Sequence, residues 1–77
     1  MRPQIWDSRV WSIGAGAFRD ARQRRFSTGA ARVYAAVELS KHVPAHEIEE
    51  SIPQLESVGS VVFPIARRAL RILNRKR

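Results

Sequence analysis

The chain has no cysteine in its 77 residues, which excludes a disulfide framework and any cysteine-based zinc or redox centre. Its two histidines, His42 and His46, are four apart, but Pro44 lies between them and no third ligand is in view, so no metal site is expected. Apolar runs are short. The longest uncharged stretch, residues 57–66, is about half the length that a bilayer-spanning helix needs. Asp7 and Arg9 break the apolar stretch from Trp6 to Phe18, so no secretory signal core is expected either. A glycine-rich phosphate loop, a nucleophile elbow and a His-Glu-x-x-His spacing are all missing. Catalysis needs a nucleophile, or an acid and a base, held in one folded site. The serines, the histidines and the glutamate run form no such constellation, so no enzyme, cofactor or small-molecule substrate is expected.

Acidic residues are scarce at both ends. Residues 1–27 hold six Arg against Asp7 and Asp20, net +4; residues 28–56 hold Arg32 and Lys41 against five Glu, net −3; residues 57–77 hold six basic residues and no acid, net +6. Two basic ends flank an acidic middle, a pattern that favours an anionic partner: acidic protein, nucleic-acid backbone or anionic lipid. Arg outnumbers Lys twelve to two. Arg suits bidentate contacts to carboxylate and phosphate, although a GC-rich genome produces the same bias.

The chain is organised around its C-terminal third, Pro53 to Arg77. Wound as a helix, Ile65, Ala66, Ala69, Leu70, Ile72 and Leu73 share an arc of roughly 160°, and Arg67, Arg68, Arg71 and Arg75 fill the opposite one. That is the pattern of a surface-lying or docking helix. Ile52, Leu55, Val58 and Val62 continue the stripe backwards, which predicts one helix kinked between Gly59 and Pro64, or two nearly collinear ones. An interior proline costs on the order of 3 kcal/mol. Ser51-Ile-Pro-Gln54 fits a capping box that would start this helix, with Pro53 in its first turn.

Residues 1–26 read as an Arg-rich amphipathic helix, with Trp6, Val10, Ile13, Ala17 and Ala21 at helical spacing. An Arg-rich, acid-poor segment of this kind is the physical form of a mitochondrial transit peptide, and Arg24-Arg-Phe26 before Ser27 resembles the pattern for presequence removal after Phe26. Two other readings stay open. The segment is a structural helix whose Gly and Ala admit a close neighbour, or its tryptophans anchor it at a lipid surface. Next, Ser27 or Thr28 can cap a helix running to about His42, with Val33, Ala36, Val37 and Ser40 as its stripe. Val43-Pro44 breaks it, and Ala45–Glu50 follows as a short acidic turn of helix.

Residues 33–62, with Leu39, Val43, Ile48, Ile52 and Leu55 at packing positions and Leu55-Glu-Ser-Val-Gly-Ser-Val61 as an exit, resemble a helix-turn-helix of the winged type. The resemblance implies a helical core for this stretch. It departs from the DNA-reading pattern in that Pro53 interrupts the recognition helix, no wing follows, and Glu47, Glu49 and Glu50 stand where phosphate should lie.

The fold class expected is all-α. It is a small protein of three to four helices with a kinked basic C-terminal helix, divided into residues 1–26 and 27–77. The expected role is that of a non-enzymatic accessory subunit or assembly factor of a larger complex, in the mitochondrion or else in the cytoplasm. Ile65, Leu70 and Leu73 would be its apolar anchors and Arg67, Arg68, Arg71 and Arg75 its contacts to acidic protein, RNA or lipid head groups. The alternatives are a small basic nucleic-acid binder of ribosomal or phage type and a peripheral membrane-surface peptide.

Overall fold

The computed structural model describes residues 8–75 as four α-helices: α1 (Arg9–Gln23), α2 (Thr28–His42), α3 (Ala45–Val58) and α4 (Val62–Arg75). No strand occurs among the described residues, and the expected all-α class is the observed one. The Cα frame measures 38 × 30 × 18 Å. Its short dimension is about two helix diameters. α1 packs chiefly on α2, and α2 and α3 both pack on α4, which also touches α1.

Local chemistry explains where each helix starts and stops. The Ser8 hydroxyl accepts the Trp11 amide at 3.2 Å and opens α1. α1 then closes on left-handed Arg25, with φ 71°; the Arg25 amide donates to Arg22 O at 3.0 Å and the Phe26 amide to Ala21 O at 3.0 Å. Glycine is the usual residue in that conformation. Arg22 adds a 2.6 Å hydrogen bond from its guanidinium to Phe26 O. The Ser27 hydroxyl accepts the Ala30 amide at 3.1 Å and caps α2 as expected. Extended Val43, buried at 2% exposure, ends it ahead of Pro44.

Three expectations need correction. Ser51 does not begin a helix: α3 already starts at Ala45, and the Ser51 hydroxyl donates back to Glu47 O at 3.0 Å. Pro53 therefore lies inside α3. The helix continues because Ile48 and Ser51 before it and Leu55 after it are buried on the same face, while Pro53 itself is exposed. Pro64 does not kink a continuous C-terminal helix. The chain turns at Gly59, φ 62°, and restarts with the Ser60 hydroxyl accepting the Val62 amide at 3.0 Å. Pro64 is then the third residue of α4, in the first turn, where a missing donor costs little. α3 and α4 consequently pack on one another instead of lying end to end. On α2 the buried stripe is Ala31, Ala35, Ala36 and Leu39. Val33 is 43% exposed, and Val37 and Ser40 are half-buried.

The core is Val10 from α1, Ala35, Ala36 and Leu39 from α2, Val43, Ile48 and Leu55, and Val62, Ile65, Ala66 and Ala69 from α4. Alanines on α2 and α4 let these helices approach closely. Gly14 does the same for α1: a Cβ placed there would lie 3.1 Å from Val62 Cγ1. For α1, the small-residue reading of the N-terminal segment thus has a physical counterpart in the α1–α4 contact. Trp6 and Asp7, and Lys76 and Arg77 at the other end, lie outside the described residues.

Candidate docking surface

α4 divides its circumference between two environments. Val62, Ile65, Ala66 and Ala69 are fully buried, while Leu70, Ile72 and Leu73 are half-buried at the margins of the same face. Arg67, Arg68, Arg71 and Arg75 are all exposed. The polar arc read from the sequence is therefore the solvent face, but the apolar arc is mostly the inside of this protein's own core. Ile65, expected as a docking anchor, is 0% exposed and holds α4 in place. Leu70 and Leu73 retain accessible surface at the core's edge.

The margins open into two grooves, one on each side of α4. The first, about 230 Å³, lies between α3 and α4 and is lined by Ile52, Arg67, Leu70, Arg71 and Asn74. The second, about 190 Å³, lies between α2 and α4 and is lined by Val33, Arg68, Arg71, Ile72 and Arg75. Arg71 borders both and stands on the crest between them. Each groove is lined by aliphatic side chains together with guanidinium groups. Val33, Ile52 and Asn74 were not singled out as surface residues from the sequence. The available signal for Val33 was the competing Ala31–Ala35–Leu39 row at i, i+4, i+8, since both rows cannot face the core.

Charge is distributed unevenly over the helices. The ion pairs among the described residues are Arg9–Glu47 and Arg24–Asp20, and His42 Nε2 lies 3.6 Å from Glu38 Oε2. None involves α4. Its arginines make one aromatic contact, Arg67 over the Phe63 ring at 5.8 Å, and no ion pair with a carboxylate among the described residues. The Arg9–Glu47 pair is bidentate, at 2.8 and 3.1 Å, and ties the first turn of α1 to the first turn of α3. Arg9's hydrogen bond, reinforced by its charge, holds the Glu47 carboxyl below the usual carboxylate range against the opposing effect of partial desolvation. Arg9 is correspondingly raised by the same hydrogen bond and charge.

Among the described residues no three His, Cys, Asp or Glu side chains gather as metal ligands, and His42 and His46 lie on different helices, on either side of Pro44. No described helix is long and apolar enough to cross a membrane. No family model, curated protein or solved structure matches this chain. The surface chemistry of α4 therefore carries the functional reading.

Proposed function

We propose that this is a small, non-enzymatic helical accessory subunit or assembly factor that docks on a larger protein complex through the outer face of α4. The observation that carries this reading is the row of four exposed arginines, with no ion pair to a carboxylate among the described residues, beside two grooves lined in part by aliphatic side chains. An exposed cationic row with no internal partner adds self-repulsion to the fold. An external acidic surface removes that repulsion and gives the guanidinium groups bidentate partners. Leu70, Ile72 and Leu73 supply the apolar edge of the contact. The compartment attached to this reading is the mitochondrion, on the Arg-rich, acid-poor composition of residues 1–26.

The peripheral-membrane alternative is disfavoured by the same geometry. Insertion at a lipid surface requires a free apolar helix face, and that of α4 is largely turned into the core. The proposal is tested by expressing the tagged chain in its native cells and fractionating at near-physiological salt. Wild type is expected in a large assembly, and the Arg67→Glu/Arg71→Glu variant as free protein with an unchanged thermal melt. Single Arg→Ala changes should each weaken the contact by about 1 kcal/mol or less, as exposed ion pairs do. Identical elution of wild type and the double charge reversal would refute docking by this face.

A further inference from the structure

We infer that the groove between α2 and α4 seats an acidic amphipathic helix of the partner protein, with its carboxylates on Arg68, Arg71 and Arg75 and an aliphatic side chain between Val33 and Ile72. This rests on docking by α4 and adds which side of the helix is used and what fills it. Two features select this groove and this occupant. Arg68, Arg71 and Arg75 recur at i, i+3, i+7, the spacing of side chains along one helix face. An antiparallel or parallel partner helix presents glutamates at that same spacing. Val33 is a large aliphatic side chain left 43% exposed beside them, so the groove favours an apolar contact as well as charge.

The companion groove is less uniform. Helical spacing places Glu49 and Glu56 at i−3 and i+4 from Ile52, on the α3 side of the first groove. That wall repels an acidic ligand, whereas the α2 side of the second groove carries no acid near Val33 in the helical register.

Nucleic acid fits the second groove less well. Single-strand binders stack bases on aromatic rings, and neither groove is lined by one. Phe26 and Tyr34 are engaged edge to face at 5.9 Å, and Phe63 lies under Arg67.

The test uses the full, isotope-labelled chain and two probes of equal charge. One is a synthetic Leu/Ala/Glu helical peptide with glutamates in an i, i+3, i+7 row beside a leucine row; the other is single-stranded oligouridine. The peptide is expected to bind more tightly and to shift the NMR resonances of Val33, Arg68, Ile72 and Arg75. Arg68→Glu/Arg75→Glu should weaken it by at least about tenfold, Val33→Ser should weaken it severalfold, and Arg67→Glu should change it less than about twofold. Thermal melts of each variant separate lost binding from lost fold.

Shifts centred on Ile52, Arg67 and Leu70 would overturn the inference and leave docking by α4 standing. Tighter oligouridine binding that ignores Val33→Ser would overturn it in favour of nucleic acid. If neither probe perturbs α4, both the inference and the proposed function fall.

Discussion

Gly14 and Gly16 form a controlled comparison within one helix. Both are interior to α1, so replacing either by alanine gains about 1 kcal/mol of intrinsic helix propensity. At Gly16 a Cβ meets nothing within 4 Å, so the whole gain should appear as stability. At Gly14 the new carbon would sit 3.1 Å from Val62 Cγ1 and 3.8 Å from Ile65 Cγ2. Favourable carbon contacts lie at about 3.5–4.0 Å. Val62 is fully buried, and its β-branched side chain has one strongly preferred rotamer in a helix, so it has little freedom to give the few tenths of an ångström that relief needs. The contact should cancel most or all of the propensity gain, placing Gly14→Ala about 1 kcal/mol below Gly16→Ala. For a chain of this size that separates the two melting temperatures by about 4–8 °C. Gly14→Leu, which overpacks the same point, should cost about 1–3 kcal/mol. Urea denaturation followed by circular dichroism measures all three. Val62→Ala, made in the Gly14→Ala background, should recover part of the deficit as a coupling between neighbours. Equal stabilisation by Gly14→Ala and Gly16→Ala would show that α1 does not approach α4 at this point.

Arg25→Gly should raise stability by about 0.5–1 kcal/mol, because relief of the left-handed backbone exceeds the added unfolded-state entropy; a loss in urea denaturation would place the α1 terminus differently. Ser27→Ala removes the acceptor for the Ala30 amide and should cost about 1 kcal/mol, typical for a helix cap, read from the same denaturation curve. Because the folded Glu47 carboxyl is depressed, its contribution is complete above the ordinary carboxylate range and is lost as pH falls through the lower folded value. Glu47→Gln and Arg9→Gln should each remove that part of the acid limb in a pH series of melting temperatures, and the double variant should remove no more. A fragment of residues 27–77 lacks Val10 and Ala21 and uncovers Val62, so it should lose its cooperative thermal transition. A melt matching the full chain would make α1 dispensable and favour the presequence reading of residues 1–26.

Element type was legible wherever one periodic face dominated. α2 was readable from the Ser27 cap to Val43-Pro44 because both boundaries depend on local chemistry, a hydroxyl acceptor at one end and a restricted backbone at the other. The Arg face of α4 was legible for the same reason, as no competing polar arc exists. What failed depended on tertiary context. Ser51-Ile-Pro-Gln54 satisfies a local capping pattern, but Ile48 and Leu55 bury on one face across Pro53, and that shared burial carries the helix through the proline. The boundary at Arg25 gave no glycine signal, since an arginine holds the left-handed turn. Val33 was assigned inward because valine is more apolar than alanine. The core kept the expected Ala36 but added Ala31, Ala35 and Leu39 in place of Val33, Val37 and Ser40, and the small alanine side chains permit close helix approach.

The same allocation of faces limits what α4 can do. A helix that supplied all its apolar surface to a partner would leave Leu39, Val62 and Ile65 with little to pack against, and a chain of this length has no second core to replace them. The docking we propose must therefore use the arginine face and the half-buried side chains at its margins. A contact of that composition takes its energy from a few aliphatic side chains, while charge governs approach and choice of partner. Salt should accordingly slow association more than it speeds dissociation. The fold holds four cations on one short ridge beside aliphatic side chains, and in the proposed docking the grooves on either side determine which acidic surface can reach them.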